Sequence, residues 1–271
     1  MKRIGCFLLL VLTIVSVLFV SGCGEDYKKG ESLKIVSSNV SSLTPEAKTF
    51  DLFKTKSGEE ADVICLQEIN SDWSKLVLKY LATKGDYDLF GFSSLGNDIS
   101  SLEESGDVIN LIAYNHDKYE FVESDKFWLS MTMSTPSCVL SNGETGDMER
   151  CVNWVKLKNK ESGREFAVVC FQFDKESDSA RFFSSQLMID EICSFVAVDI
   201  PTFIVGDISC DQVDEPYVYL TQFGFTDANT GITSGTEFCF YTGDYITVSE
   251  FNEDYINNII SSEFTLKTPI K

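Results

Sequence analysis

The sequence has very little histidine and little positive charge. His116 is the only histidine among 271 residues, and 42 Asp and Glu residues outnumber 22 Lys and Arg residues, which gives a net charge of −20. A reaction that needs two histidines is therefore excluded. The nine cysteines include no C-x-x-C pair and have no second histidine to complete a zinc site. Nucleic-acid binding is disfavoured too, because a strongly negative surface repels the phosphate backbone.

The N-terminal residues predict an exported protein that carries a lipid. Residues 7–20 have no charge, and the letters VSGC at positions 20–23 resemble a bacterial lipobox. We therefore expect residues 1–22 to be a signal peptide and residues 23–32 to be an acylated Cys23 followed by a polar tether. The protein would then lie on the extracytoplasmic face of a bacterial membrane. A transmembrane anchor is the weaker alternative, because a small-residue cleavage site ends the apolar run.

Seven cysteines would remain after removal of the signal peptide and acylation of Cys23. Seven is odd, so they cannot all pair with one another. Cys65 and Cys170 lie inside apolar runs and are expected to be small core residues. Cys138 and Cys151 flank a loop and could form a disulfide in an oxidising compartment, whereas a reducing habitat would remove that need.

The rest of the chain alternates short apolar segments with helical patterns. Residues 33–40 and 61–69 have the pattern of buried strands. Residues 108–130 and 151–173 each have the pattern of two strands joined by a turn. Residues 179–197 carry apolar side chains at helical spacing. Because we find no repeat and no long linker, this mixture predicts one α/β domain with two sheets covered by helices.

Polar side chains stand at the ends of several predicted strands. Asn39 ends the first strand, Gln67 and Glu68 end the second, Asp207 ends a later one and Asp244 opens the last. Each of these residues alone is readily explained as a turn or capping residue. Together they indicate a site, because α/β folds build their sites at strand ends.

Seven segments together resemble the endonuclease/exonuclease/phosphatase family, which has the DNase I-like fold. In chain order they are LKIVSSNV, DVICLQEI, KFWLS, VNWVKL, IPTFIVGDIS, SGTEFCF and GDYITVS. DVICLQEI is the most specific of them, and the conserved order makes a chance match improbable. The resemblance implies a four-layer α/β/β/α sandwich over residues 33–271, with two mixed sheets packed face to face and helices outside.

The resemblance also implies metal-assisted hydrolysis of a phosphoester. In that family a divalent cation, usually Mg²⁺, neutralises charge on the phosphate while water attacks. Asn39 and Glu68 match the positions that hold the cation. Asp207 matches the aspartate that positions the water, and Asp244 matches the acid that orients a histidine.

This sequence departs from the family at the residues that carry the chemistry. Gln172 stands at one histidine position and Phe264 aligns with the other, while Cys170 and Ser209 replace asparagines. Loss of a general base or a phosphate-binding donor each costs roughly two to four decades in rate. The one histidine, His116, falls on a predicted hairpin turn and is expected to have a turn or surface role. Asp207 and Asp244 are then vestiges of a catalytic site.

Three functions remain open at this stage. The favoured one is a lipid-anchored binding domain without catalytic activity, attached to the membrane through Cys23. The alternative is a metal-dependent phosphodiesterase or phosphatase that uses Asp207 or Asp244 as its base. A third is a surface module whose acidic face binds cations or a glycan. A resemblance in fold cannot by itself transfer an activity.

Overall fold

The structure is a computed structural model that describes residues 30–55, 57–83, 85–102, 106–195, 200–229, 231, 235–243, 246–254, 257 and 259–267. Glu31–Leu266 form one compact unit. The predicted acylation site, Cys23, and the predicted site residue Asp244 lie outside the described residues. Within the described ranges, no helix is both long enough and apolar enough to cross a membrane.

The described residues form twelve strands in two sheets of six. The first sheet contains β1 (Glu31–Asn39), β2 (Val63–Ile69), β3 (Tyr87–Phe90), β4 (Ile109–Asn115), β11 (Ile246–Asp254) and β12 (Ile259–Leu266), in the order β11-β12-β1-β2-β4-β3. The second sheet contains β5 (Tyr119–Trp128), β6 (Cys151–Asn159), β7 (Glu165–Gln172), β8 (Thr202–Asp207), β9 (Thr226–Asp227) and β10 (Glu237–Thr242), in the order β5-β6-β7-β8-β10-β9.

Three α-helices lie among the strands of the described chain. Helix α1 (Ser71–Val77) begins where the Asn70 side chain accepts hydrogen bonds from two backbone N–H groups, and it continues into a wider π-helical turn over Leu78–Ala82. Helix α2 is Asp178–Phe195, and helix α3 is Glu215–Gln222, with a proline in its first turn. Short 3-10 turns cover Val40–Ser42, Ala47–Phe53 and Ile99–Ser101.

Three separate apolar layers show how these elements stack. The central layer contains buried side chains from both sheets, including Ile35 of β1 and Val205 of β8. A second layer packs Trp73 of α1 against the outer side of the first sheet. A third packs Met188 and Ile192 of α2 against the outer side of the second sheet. The predicted four-layer sandwich, with two mixed sheets face to face and helices outside, is therefore confirmed.

Each sheet contains one parallel pair near its centre. Strands β1 and β2 are parallel, as are β7 and β8, while the other pairings are antiparallel. Both pairs end at polar residues, Asn39 with Gln67 and Gln172 with Asp207. His116 follows β4 in the turn before β5, beyond the opposite ends of these strands, because β4 runs antiparallel to β2. His116 is therefore a turn residue, as the sequence predicted.

Gly206 allows β7 and β8 to approach closely just before Asp207. Its φ is 153°, and a Cβ atom built there would lie 1.9 Å from the backbone oxygen of Phe171. A side chain could fit only if one of the two parallel strands moved. The glycine therefore fixes the position of Asp207 at the end of β8.

Replacement of this glycine should destabilise the whole domain. We expect Gly206→Ala to lower the free energy of unfolding by more than about 3 kcal/mol, because backbone strain and a backbone clash act together. Gly224→Ala is the matched control, since Gly224 has φ 93° with nothing within 4 Å of a built Cβ, and only about 1 kcal/mol should be lost there. Urea denaturation measures both. Equal losses in the two variants would contradict the proposed clash.

Candidate functional site

Four polar side chains meet where the two parallel strand pairs end. Asn39 closes β1, Glu68 lies near the end of β2, Gln172 closes β7 and Asp207 closes β8. Since carboxyl ends of parallel strands gather at one edge of a sheet, the two facing sheets place all four at one end of the sandwich. The structure thus brings Asn39, Glu68, Gln172 and Asp207 together, as the sequence predicted.

The Asn39 side chain joins the two sheets at this end. Its Nδ2 donates to Glu68 Oε1 at 3.2 Å and to Asp207 Oδ2 at 3.0 Å. Its Oδ1 accepts a hydrogen bond from the backbone N–H of Ser41 at 3.0 Å. That backbone donor fixes the orientation of the amide, because a flipped amide would aim its NH₂ group at another N–H. Asn39 therefore presents hydrogen atoms, and not its oxygen, to both carboxylates.

The carboxylate of Glu68 receives three donors on one oxygen. Gln172 Nε2 donates to Oε1 at 2.5 Å, Lys175 forms an ion pair with the same atom, and Asn39 is the third. Burial alone would raise the pKa of this carboxyl group, but the hydrogen bonds from Gln172 and Lys175 and the positive charge of Lys175 outweigh it and lower the pKa. Glu68 is consequently held as a carboxylate whose charge is already compensated.

Backbone strain is concentrated at this site. Among the described residues, Glu68 (φ 61°) and Ser209 (φ 51°) are the only residues other than glycine with positive φ. Ser209 donates to Asp207 Oδ1 through its backbone N–H at 2.7 Å and through Oγ at 3.1 Å. Strained conformations of this kind persist where the surroundings enforce them, and they cluster at functional sites.

A buried polar layer lies directly beneath these residues. Ser37 Oγ donates to Glu237 Oε2 at 2.8 Å and accepts from Gln67 Nε2 at 3.1 Å, and Gln67 Nε2 also approaches Cys170 Sγ at 3.5 Å. Glu237 pairs with Asp207 across β10 and β8. Oε1 of Gln67 and Oε1 of Glu237 are buried without a hydrogen-bond partner. A second carboxyl group therefore sits behind Asp207 within the fold.

Glu237 was missed by the sequence analysis. Burial raises its pKa well above the usual range for a glutamate, and the neighbouring charge of Asp207 raises it further. The one available signal was an acidic residue directly before the apolar letters FCF in the SGTEFCF segment. The sequence does not show that this strand faces the other sheet, so the acid would be assigned to the preceding loop.

Two sequence predictions need correction. Phe264 does not lie at the site: it pairs with Leu33 in the middle of β12 and packs in the central apolar layer, against Phe203 and Tyr241. The end of β12 beside the site is Ile259, which pairs with Ser38. The sequence near the C-terminus did not show where this last strand begins, so the motif was aligned too far along it.

The suggested disulfide between Cys138 and Cys151 is also absent, and both thiols are free. Cys151 is buried at the start of β6, and Cys138 lies in the loop before it. Cys65 and Cys170 are fully buried in the central layer, as expected of small core residues. The free thiols leave the loop between β5 and β6 to be held by hydrogen bonds and by the ion pair of Arg150 with Asp147.

Solved structures share this arrangement of sheets. A family protein from Bacteroides thetaiotaomicron described as endonuclease/exonuclease/phosphatase is 18% identical, with a TM-score of 0.69 over 88% of this chain and 99% of its own. A mannosyl-6-phosphatase from the same organism is 17% identical, with a TM-score of 0.65 over 86% and 98%. The human Nocturnin catalytic domain is 14% identical, with a TM-score of 0.67 over 88% and 96%.

The chain has the endonuclease/exonuclease/phosphatase fold. The identities are too low to show more than the fold. No protein-family model matches the sequence, and no curated protein matches it either. The predicted resemblance to the endonuclease/exonuclease/phosphatase family is therefore confirmed at the level of the DNase I-like fold.

The endonuclease/exonuclease/phosphatase fold implies a divalent cation at Asn39 and Glu68, and the residues present do not suit one. Mg²⁺ requires oxygen ligands in a near-octahedral arrangement. Asn39 turns its NH₂ group inward, and the near oxygen of Glu68 is taken by Gln172, Lys175 and Asn39. Within the described residues, no group of three or more His, Cys, Asp or Glu side chains is placed to hold a metal ion.

The protonation of Glu237 should make stability depend on pH. A carboxyl group whose folded pKa is raised stabilises the fold fully below its unfolded pKa, and that contribution is lost as pH rises through the folded pKa. We expect the free energy of unfolding to fall by up to about 1.4 kcal/mol per pH unit across that window. Glu237→Gln should remove this slope.

Chemical denaturation between pH 5 and about pH 9 tests this prediction. Glu176→Gln is the control, because it makes the same Glu-to-Gln change at an exposed position. Its unfolding free energy should follow the wild-type pH dependence. If the unfolding free energies of the wild type and Glu237→Gln differ by the same amount at every pH, the predicted contribution of Glu237 is contradicted.

Proposed function

We propose that this protein is a lipid-anchored, extracytoplasmic binding domain built on a phosphoesterase-like fold without hydrolytic activity. The observation that carries the proposal is Gln172, which stands at a family histidine position and donates to Glu68 at 2.5 Å. A glutamine amide can donate a hydrogen bond but exchanges no proton near neutral pH. Proton transfer by a histidine therefore has no substitute at this position.

The state of Glu68 supports the same proposal. A carboxylate that holds a cation needs free lone pairs, whereas Oε1 of Glu68 is engaged by two amides and an ammonium group. The strong negative charge of the chain argues against nucleic acid as the ligand. What remains is a cluster of hydrogen-bonding groups at the ends of the two parallel strand pairs.

The alternative is a phosphoesterase with altered base chemistry. The observation that favours it is the strain retained at Glu68 and Ser209, which costs of order 1–3 kcal/mol per residue where no function maintains it. Asp207 would then be the base. Both of its carboxylate oxygens already accept hydrogen bonds, Oδ2 from Asn39 and Oδ1 from Ser209, so a water molecule would have to compete with these donors.

Hydrolysis assays separate the two functions. We expect protein from residue 24 onward to show no turnover above the Glu68→Ala variant on panels of phosphodiesters and phosphomonoesters with Mg²⁺ or Mn²⁺. Gln172→His alone should not restore activity, because the second histidine is missing as well. Turnover that is lost in both Glu68→Ala and Asp207→Ala would establish the phosphoesterase alternative instead.

The proposed lipid anchor makes a separate prediction. Cys23→Ser should abolish incorporation of a labelled fatty acid and shift the protein out of the detergent phase, because the acylated thiol is gone. Cys6→Ser is the matched control, since Cys6 lies within the predicted signal peptide, and it should be labelled like the wild type. If Cys23→Ser is still labelled, the lipid is not attached to Cys23 and this part of the proposal is wrong.

A further inference from the structure

Lys175 is held over the site by a rigid turn. The residue before it, Asp174, is buried and accepts backbone hydrogen bonds from Glu176 and Ser177 at 2.8 and 2.7 Å, and from Asp147 at 2.6 Å. Three such donors fix the chain between β7 and α2 in one conformation. The lysine therefore leaves this turn in a direction set by the backbone and reaches Glu68 of the other sheet.

Glu68, the partner of Lys175, is more buried than an ordinary surface carboxylate. The Glu68 side chain is only 17% exposed, against 39% for Lys175, and its backbone is strained. Exposed ion pairs contribute little to stability, because water screens them and two long side chains must be ordered. Here the carboxylate is largely out of water and stands near a second carboxylate, Asp207, through the shared amide of Asn39. An uncompensated pair of this kind would attract a cation.

We propose that the ammonium group of Lys175 is the resident cation of this site and takes the place of a divalent metal ion. The lysine supplies the positive charge that Glu68 requires, and the fixed amide of Asn39 supplies the remaining hydrogen bond. The site is thereby complete without Mg²⁺ or Mn²⁺. This inference deepens the proposed function, on which it rests, by making the binding site metal-independent.

Removal of the lysine should create a site for a divalent cation. With Lys175→Ala, Glu68 loses its compensating charge and one of the three donors on Oε1, which opens a position for Mn²⁺ beside the carboxylate. We expect saturable Mn²⁺ binding with a dissociation constant in the millimolar range or tighter, seen by electron paramagnetic resonance. At a free Mn²⁺ concentration ten times the dissociation constant, the melting temperature should rise by about 3–6 °C. The wild type should show neither effect at constant ionic strength.

Two controls make the result specific. Lys75→Ala removes the same charge from an exposed ion pair with Asp72 on α1, and it should behave like the wild type. Lys175→Ala combined with Glu68→Gln should lose the gained Mn²⁺ binding. If Lys175→Ala does not fold, the wild type still tests the proposal. A resident ammonium predicts that the wild type shows no saturable Mn²⁺ binding at Glu68, so Glu68→Gln should leave its Mn²⁺ signal unchanged.

The two proposals fail in different ways. Saturable Mn²⁺ binding to the wild type that disappears in Glu68→Gln would overturn the resident ammonium, whatever the hydrolysis assays give. Hydrolysis by a wild type that binds no Mn²⁺ would overturn the inactive binding domain and leave the resident ammonium standing. Equal Mn²⁺ binding by Lys175→Ala and Lys75→Ala would also overturn it, because general acidity would then explain the cation affinity.

Discussion

Burial of one continuous apolar layer between two sheets is the constraint on which this molecule depends. Each inner sheet face must be apolar along most of its length, and polar groups can enter that layer only where hydrogen bonds compensate them. Leu33, Ile35 and Val63 meet Val168, Phe203 and Val205 in that layer. Toward the carboxyl ends of the parallel strands the same faces turn polar, with Ser37 and Asn39 opposite Gln172 and Asp207. The site is therefore the polar end of the core itself.

Asn39 has the central position in that polar end. Its side-chain oxygen accepts from the Ser41 backbone N–H, and its NH₂ group is shared by Glu68 and Asp207. Each contact restricts the others, so the amide has one orientation available. In that orientation the site offers donors to its own carboxylates, and an ammonium group from a neighbouring turn compensates the charge of Glu68. A site of this kind is preorganised for hydrogen bonding and not for holding a hard cation.

Local sequence was sufficient wherever a residue ended a strand that had its own apolar pattern. Asn39, Glu68, Gln172 and Asp207 all follow such runs, and the structure brings them together. Local sequence failed where a position depends on a partner far along the chain. Phe264 was misplaced because the start of β12 is set by pairing with β1. Glu237 was missed because only its facing sheet makes it a core residue. Lys175 follows a turn whose shape depends on contacts with Asp147, which no pattern near the lysine reveals.

The direction of β1 bears on where a ligand would come from. This strand begins at Glu31 and reaches the site only at Asn39, eight residues later, so a distance of roughly 27 Å separates the two ends. The site therefore lies at the opposite end of the sandwich from Glu31, the first residue of β1. A molecule that binds beside Asn39 would have to approach that end of the two sheets, and residues around the start of β1 could not contact it.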